Sequence, residues 1–367
     1  MKNVLLLYSR YSSYVHSSFQ RFTSLFGYTV HVIRYAPDKA SPFKFEDNPN
    51  IKFYDRDKFN ASSIIELIKE NDIKIVIASG WRDQDYLKAC RYVKNNGGLT
   101  IGAMDNQWMG TFKQKVFQHL GPAMLKRSFC RLWIPGLFQY EYARRLGFER
   151  FNILLNYYTA DTDLFKYSAN EHRVTRQFIY VGRLLEIKGT EVLIKALDNF
   201  GSELQNSGWK FLIIGGGDYK EQVEKLSQKY PSIEYIPFLQ QKDLAQKTKE
   251  GGVFVLPSNY DAWSVAVHEF AAIGCPLLLS EAVGSRAAFL KPGYNGEVFA
   301  TGSHKDLIAK MKAFISRSDD ELKLMGERSA TLAKTIDLDI WSYTLHNAID
   351  DHNKQVKYTR LSRTKYA

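Results

Sequence analysis

The sequence has few cysteines, no long hydrophobic run and no metal-binding spacing. Its three cysteines, Cys90, Cys130 and Cys275, lie far apart among 367 residues, which argues against a disulfide framework and predicts a reducing compartment. No Cys and His cluster has the spacing of a zinc site. No run approaches the roughly 18 apolar residues of a membrane-spanning helix, and the apolar stretch at residues 4–8 is too short for a signal peptide. We therefore expect a cytoplasmic chain without a metal site.

Positive charge is abundant and unevenly placed, with a formal net charge of +11. Residues 107–150 contain eight Lys or Arg residues against Glu141 and Glu149, and more bases follow Asp351. Such surfaces attract anionic lipid, nucleic acid or phosphorylated substrates. No nucleic-acid-binding motif accompanies this charge, so nucleic acid is not an expected partner.

Residues 113–127 mix bases with bulky apolar side chains in a helical pattern. Two interpretations are open for this segment. Either its apolar stripe packs on a sheet and its bases are solvated, or the helix lies on an anionic membrane. In the second case, residues 107–150 and the basic C-terminal tail would hold the protein at the inner face of the membrane.

Short apolar runs alternate with helix-length segments along the chain, which predicts parallel β-sheets covered by helices on both faces. In the first half, the predicted strands are residues 4–8, 29–35, 51–54, 73–78, 99–103, 131–134 and 153–155. A polar segment, 156–170, interrupts the pattern and is predicted to be a linker. The pattern then restarts near residue 178. We predict two domains, over residues 1–165 and 170–337.

Polar residues and aromatic rings follow three predicted strands of the first half. Arg10 follows the first strand, Trp81 follows strand 73–78, and Asp105 and Asn106 follow strand 99–103. The carboxyl ends of parallel strands meet at one edge of a sheet, so these loops should lie together. Rings that stack on a sugar and polar groups that bind its hydroxyls suit a carbohydrate. The alternative is that these are ordinary surface loops.

The strand at residues 178–181 ends in a glycine turn with two bases, Gly182-Arg183 and then Lys188-Gly189, just before a predicted helix. A forked guanidinium and an ammonium beside a helix N-terminus form a site suited to a diphosphate. The alternative is that Arg183 and Lys188 are ordinary surface bases in a loop.

Residues 256–280 have a strand, loop, helix and strand pattern, with Asp261 before the helix and Glu269 within it. The unpaired first-turn N–H groups of such a helix favour an anion. A carboxylate repels phosphate but accepts hydroxyls, so this pattern predicts a polyol on both sides of a phosphate. Alternatively, Asp261 only caps the helix and Glu269 is a solvated helix residue.

These two segments together resemble a known family, the retaining glycosyltransferases of family 4. Pro257-Ser258, the Asp261-x7-Glu269 pair, and the Ala271, Gly274 and Pro276 tail resemble its acid-x7-acid motif, and the loop from Gly182 to Gly189 resembles its leaving-group motif. The resemblance implies the α/β GT-B fold, two Rossmann-like doubly wound domains facing a central cleft. It also implies that a C-terminal helix, about 338–367, packs back on the first domain.

The resemblance implies a role for each candidate residue. Arg183, Lys188 and Asp261 would be catalytic, with Asp261 holding the sugar. The remaining donor-binding residues would be Gly182, Phe238, Leu239, Trp263, Ser264, Val265 and Glu269. Glu269 would hold the ribose, and the loop at residues 237–240 would take the nucleobase. The acceptor side would use Arg10, Trp81, Asp105 and Asn106.

The sequence departs from the family pattern at four places. Asp261 replaces the usual first Glu, and Ala262-Trp263-Ser264 replaces the usual Gly-Phe-Gly. Gln240 stands where the nucleobase loop usually has Gly, and the His found near Asp105 in some members is absent. These differences affect the expected sugar, nucleobase and acceptor more than the expected chemistry.

The implied activity is transfer of a sugar, with retention, from a nucleotide diphosphate sugar to a glycan or lipid-linked acceptor in cell-surface polysaccharide synthesis. Neither a metal ion nor a cofactor is expected. The alternatives are another GT-B enzyme, such as a nucleotide-sugar epimerase or a phosphorylase, and a non-catalytic membrane-associated GT-B scaffold. A phosphorylase would need a pyridoxal lysine and a much longer chain.

Overall fold

The computed structural model describes residues 2–36, 42–168 and 175–364, with side chains described as far as residue 357. Within these ranges the chain divides into two compact units. The first unit contains residues 2–36, 45–159 and 338–364, and the second contains 42–44, 160–168 and 175–337. Residues 169 and 170 of the predicted linker, and Lys365 of the basic tail, lie outside the described residues.

The first unit is built on a parallel sheet of seven strands in the order β3-β2-β1-β4-β5-β6-β7. Its strands are β1 Asn3–Tyr8, β2 Thr29–Arg34, β3 Ile51–Asp55, β4 Ile75–Ser79, β5 Leu99–Ala103, β6 Arg131–Trp133 and β7 Ile153–Leu154. Each lies within one or two residues of a predicted strand. The predicted parallel sheet is therefore confirmed for this unit.

Five helices follow strands of this sheet: α1 Ser13–Phe26, α2 Ala61–Glu70, α3 Gln84–Asn95, α4 Phe112–Ser128 and α5 Leu137–Arg145. Strand β1 shows why both faces need cover, because Leu5 and Leu7 point into one hydrophobic cluster while Val4 and Leu6 point into another. Buried parallel strands of this kind are apolar on both sides.

The second unit repeats this architecture with a parallel sheet of six strands in the order β10-β9-β8-β11-β12-β13. Its strands are β8 Gln177–Val181, β9 Lys210–Ile214, β10 Ile233–Ile236, β11 Val253–Leu256, β12 Leu277–Ser280 and β13 Gly296–Phe299. Its helices are α6 Thr190–Asn206, α7 Lys220–Lys229, α8 Gln241–Thr248, α9 Val265–Ala272, α10 Arg286–Phe289, α11 His304–Ile315 and α12 Asp319–Ala333. Both units are thus doubly wound α/β sheets, as predicted.

The last helix, α13 Leu338–Thr364, belongs to the first unit. Trp341 is its anchor, because its Nε1 donates to the carbonyl of Tyr157 at 2.7 Å and its ring stacks on Trp133 at 4.8 Å. Phe19 of α1 packs edge-on against the same ring. Among the helices that the structure describes, none combines the length and the apolar character needed to cross a bilayer.

Candidate functional site

The strand order of the second unit reverses between β8 and β11, two neighbouring strands that are far apart in sequence. In open parallel sheets, ligands bind beyond the carboxyl ends of the strands at such a switch point. The loops that follow β8 and β11 are residues 182–189 and 257–264, the two segments that the sequence singled out. The topology therefore places both motifs at the expected ligand edge.

Backbone hydrogen bonds join these two loops directly. The N–H groups of Asn259 and Tyr260 both donate to the carbonyl of Ile187, at 3.0 and 3.2 Å. The Asn259 side chain also donates to the carbonyl of Glu186 at 2.9 Å. The turn at Glu186–Lys188 is a 3-10 helix that presents these carbonyls to the second loop. The two motifs consequently form one bonded structure.

Gly189 allows this close approach. Its φ is +69°, and a Cβ at this position would lie 1.8 Å from the carbonyl oxygen of Pro257. Only glycine combines that left-handed conformation with the absence of a side chain. The glycine after Lys188 is therefore required by the contact between the loops.

Lys188 and Asp261 are brought into direct contact, with 2.7 Å between the ammonium Nζ and carboxylate Oδ2. Their side chains are 18% and 6% exposed. The backbone of Asp261 is fixed on its other side, because its N–H donates to Ala282 and its carbonyl accepts from Gly284. Lys188 is therefore not an ordinary surface base, and Asp261 is not a helix cap, since the N-cap of α9 is Ser264.

Glu269 lies on α9 and is buried rather than solvated. Burial, with a smaller contribution from the nearby charge of Asp161, raises the pKa of Glu269 to about 7. Gln241, at the start of α8, donates from Nε2 to the Glu269 carboxylate at 3.3 Å. Sequence reasoning missed Gln241, because no local pattern connects two side chains on different helices.

His268, next to Glu269, was also missed and fixes the position of α9. Its Nδ1 accepts from the N–H of Ala160 and its Nε2 donates to the carbonyl of Ala333, each at 3.0 Å. Burial lowers the pKa of His268 to about 4, so the ring is neutral. The ring also stacks on Phe289, with 4.4 Å between centroids.

Trp263, Ser264 and Val265 form the entry to α9 and are all buried. The Trp263 ring packs edge-on against Phe289. Its Nε1, together with the hydroxyl groups of Ser258 and Ser285, is buried without a hydrogen-bond partner among the described residues. Most buried donors and acceptors in folded proteins are paired, so these three groups are exceptions.

Gly182 and Arg183 lie in the loop after β8, against the turn at residues 215–217. The N–H of Gly182 donates to Ile214 and that of Leu184 donates to Gly216, at 3.1 and 2.8 Å. The carbonyl of Arg183 accepts from the Tyr180 hydroxyl at 2.9 Å. The side chain of Arg183 is half-buried and begins five residues before Lys188 in the same bonded loop.

Phe238 and Leu239 follow β10, at the outer end of the same sheet, and both are half-buried. Phe238 packs edge-on against Phe43, with 5.2 Å between ring centroids. Phe43 belongs to the short segment at residues 42–44 that is part of this unit. The predicted donor residues therefore lie on loops after β8, β10 and β11 and on α9.

The four predicted acceptor residues lie on one edge of the first sheet, in the loops after β1, β4 and β5. Two of these loops are bonded, since the N–H of Ser9 donates to the Ser79 hydroxyl at 2.9 Å. Arg10 and Asn106 are exposed. Trp81 is half-buried and stacks on Phe117 of α4, so one face of its ring is already used in packing.

Asp105 is bordered by buried and half-buried tyrosines that sequence reasoning missed. The Tyr158 hydroxyl donates to its carboxylate at 3.4 Å. Tyr8, Tyr14 and Tyr157 lie around Tyr158, and burial raises the pKa of Tyr8 and Tyr158 well above the usual value. Tyr8 and Tyr158 therefore stay neutral, and a neutral phenol can both donate and accept hydrogen bonds.

Helix α4 has two apolar stripes, one packed on the core and one exposed. The two interpretations of this segment, packing on a sheet and lying on a membrane, therefore do not exclude each other. Phe117, Met124 and Leu125 pack against the core of the first unit. Phe112 and Leu120 face outward, 81% and 71% exposed, with Val116 between them. Helices α4 and α5 also carry exposed bases: Lys113, Lys115, Lys126, Arg127, Arg144 and Arg145.

Comparison with known protein families gives a match within the second unit. Residues 163–331 match the family described as Glycosyl transferases group 1. This segment, a little under half of the chain, is similar to the group 1 glycosyltransferases. The glycosyltransferase resemblance found in the motifs is thereby confirmed, while the narrower assignment to family 4 stays a prediction.

Two curated relatives are similar in sequence to part of this chain. Sulfoquinovosyl transferase SQD2 from Arabidopsis thaliana is 29% identical over 139 residues, which cover 37% of this chain and 26% of that protein. Lipopolysaccharide 1,6-galactosyltransferase from Salmonella typhimurium is 25% identical over 145 residues, covering 38% and 39%. The matches thus span about a quarter to two fifths of these relatives.

Comparison with solved structures gives a match over nearly the whole chain. Anabaena HepE, solved in complex with UDP and glucose, matches with a TM-score of 0.71 and 11% identity, over 96% of this chain and 100% of that one. Together with the two parallel sheets, this likeness confirms the predicted GT-B fold class. Among the described residues, no group of three His, Cys, Asp or Glu side chains is placed to hold a metal ion.

Proposed function

We propose that this glycosyltransferase moves a sugar, with retention, from a nucleotide diphosphate sugar to an acceptor hydroxyl. The observation that carries the proposal is the contact between Lys188 and Asp261 on bonded loops at the switch point of the sheet. A cation suited to phosphate and an acid suited to sugar hydroxyls are adjacent there, as a sugar–phosphate bond requires.

The proposed catalysis is electrostatic. Cleavage of the anomeric bond moves negative charge onto the β-phosphate and positive charge onto the sugar ring. Lys188, Arg183 and the first-turn N–H groups of α9 at Ser264 and Val265 would stabilise the phosphate as preorganised donors. These groups supply the positive charge that a metal ion supplies in other enzymes, so we propose that transfer is metal-independent.

Each remaining donor residue has a proposed partner on the substrate. Asp261 would accept the sugar hydroxyls, and Trp263, two residues further along the same loop, would border the sugar. Glu269 would accept the ribose hydroxyls, and Phe238 and Leu239 would border the nucleobase. Gly182 would let the loop backbone approach the phosphates. The complex of HepE with UDP and glucose supports a nucleotide sugar as donor.

We propose a glycan or lipid-linked acceptor, used in cell-surface polysaccharide synthesis. The Salmonella relative, named for lipopolysaccharide, supports this class. The acceptor would bind the first unit at Arg10, Trp81, Asp105 and Asn106. The outer stripe of α4, apolar and on a helix that also carries exposed bases, would hold the enzyme on the anionic inner face of the membrane.

The test is an assay of the purified protein with UDP-, GDP- and ADP-linked hexoses, following both donor hydrolysis and transfer. We expect release of the nucleoside diphosphate from one of these donors, with the anomeric configuration retained in the product. Interconversion of two nucleotide sugars without release would instead indicate an epimerase. No turnover of any donor, together with no nucleotide binding, would support a non-catalytic scaffold.

A further inference from the structure

The side chain of Gln240 holds a distant piece of the chain through both ends of its amide. Its Oε1 accepts from the backbone N–H of Lys44 at 3.1 Å, and its Nε2 donates to the carbonyl of Pro42 at 3.0 Å. Almost 200 residues separate the partners in sequence. Two complementary bonds to a backbone fix both its position and its direction.

Phe43 lies between the two backbone groups that Gln240 holds. Its ring meets Phe238 edge-on, with 5.2 Å between centroids and 78° between planes. Both rings are only half-buried. Half-exposed aromatic rings beside a ligand site are suited to stack on the face of a nucleobase, whichever base is bound.

Gln241, the residue after Gln240, connects this arrangement to the candidate donor site. Gln241 donates to the carboxylate of Glu269, the residue proposed for the ribose. Consecutive glutamines at the start of α8 thus bond the segment at residues 42–44 on one side and Glu269 on the other. A base attached to a ribose at Glu269 would extend along this short bridge.

We propose that residues 42–44 form one wall of the nucleobase site, with Phe43 as a stacking ring and Gln240 as the residue that holds it in place. The inference rests on the proposed function. This arrangement is specific to this chain. The family that the sequence resembles usually has a glycine at the position of Gln240, and glycine has no side chain to make either bond. Phe43 and Gln240 then contribute to affinity for the base and not for the phosphates.

The test uses titration calorimetry to compare the affinities of the 367-residue chain for UDP, GDP, ADP and inorganic pyrophosphate. Phe43→Ala and Gln240→Gly should each weaken the binding of the preferred nucleoside diphosphate about tenfold, which is the effect expected for loss of one stacking ring. Their affinity for pyrophosphate should stay unchanged. Tyr294→Ala and Gln228→Ala, which remove an exposed ring and an exposed amide elsewhere in the unit, are the matched controls and should match wild type.

Hydrogen exchange provides an independent readout of the contact. The Lys44 amide should exchange faster in Gln240→Gly than in wild type, whereas Gln228→Ala should leave it unchanged. Equal exchange, or unchanged or tighter nucleotide binding by Phe43→Ala, would overturn this inference alone. Absence of any nucleoside diphosphate binding to wild type would overturn the proposed function with it.

Discussion

The ammonium group of Lys188 lies 2.7 Å from the carboxylate of Asp261, and both side chains are largely buried. The two residues are 73 positions apart in sequence and meet because their loops share backbone hydrogen bonds. A buried pair contributes little net stability, but removal of one partner strands a buried charge and costs about 3–5 kcal/mol. The pair therefore has to be tested with variants that separate stability from chemistry.

Lys188→Met should reduce sugar transfer by about 10²–10³, because it removes one donor to the departing phosphate. It should also destabilise the protein by removing the ammonium group that pairs with the largely buried carboxylate of Asp261. The double variant Lys188→Met with Asp261→Asn should recover stability, since the buried negative charge is removed as well, without recovering activity. Initial rates and urea denaturation of the three proteins measure both effects.

Lys195→Ala is the matched control for Lys188. Lys195 is also paired with an acid, Glu191, but on the exposed surface of α6. Exposed pairs of this kind contribute about 0.2–1 kcal/mol. Lys195→Ala should keep full activity and nearly full stability. Full activity in Lys188→Met would remove Lys188 from the chemistry.

Gly189→Ala should disrupt the contact between the two loops. The added Cβ would overlap the carbonyl oxygen of Pro257, and the left-handed backbone adds strain. Gly208→Ala is a matched control, because Gly208 has a similar φ of +75° but no atom within 4 Å of an added Cβ. The control should cost about 1–2 kcal/mol from backbone strain alone. Gly189→Ala should cost more in urea denaturation and should also weaken nucleotide binding, whereas equal costs would contradict the packing described.

Glu269 should make stability depend on pH. Its pKa is raised from 4.5 to about 7 in the folded state, so between these values the folded chain binds more protons than the unfolded chain. Stability therefore falls as pH rises through this window, by at most about 3 kcal/mol. Glu269→Gln removes this dependence while keeping the size of the side chain. The free energy of unfolding of wild type relative to Glu269→Gln should be higher at pH 5 than at pH 8.

His268 has the opposite pH dependence in an overlapping range, because burial lowers its pKa to about 4. It is present in both proteins of the comparison, so its contribution cancels in the difference. A difference between wild type and Glu269→Gln that does not change with pH would show that Glu269 titrates normally.

The outer stripe of α4 should bind anionic lipid. Vesicles containing phosphatidylglycerol should co-sediment with wild type at low salt and release it at high salt, since screening weakens charge attraction. Phe112→Ser with Leu120→Ser should abolish binding. Leu324→Ser is the control, because Leu324 is 46% exposed on α12 of the second unit. This variant should bind the vesicles as wild type does. No binding of wild type at low salt would exclude the membrane proposal.

The strands were the most predictable elements of this fold. Central strands of parallel sheets are short apolar runs, such as Leu277–Ser280, that stand out from polar loops. Helix α1 has a weaker sequence signal, because it lacks charged ends and a capping bond, and because its buried positions include polar residues such as Ser17 and Ser18. The last helix was predicted over about residues 338–367 and is observed as Leu338–Thr364, a stretch that contains no glycine or proline to end it earlier.

The site was predictable only in part. The motifs predicted Lys188 and Asp261 as site residues. Their direct pairing depends on the order of the strands in the sheet, which the spacing of residues in the sequence does not predict. Gln241 and His268 act through partners on other elements, at Glu269 and Ala333, so no local pattern could find them. Contacts between distant segments arise from topology, whereas motifs reflect local backbone chemistry.

The most direct test of the account is whether Lys188 recognises the second phosphate of the nucleotide. Titration calorimetry should compare the preferred nucleoside diphosphate with its monophosphate in wild type and in the Lys188→Met, Asp261→Asn double variant. A charge-assisted hydrogen bond predicts a preference of at least about tenfold for the diphosphate in wild type and its loss in the variant. The same preference in both proteins would show that the diphosphate binds elsewhere.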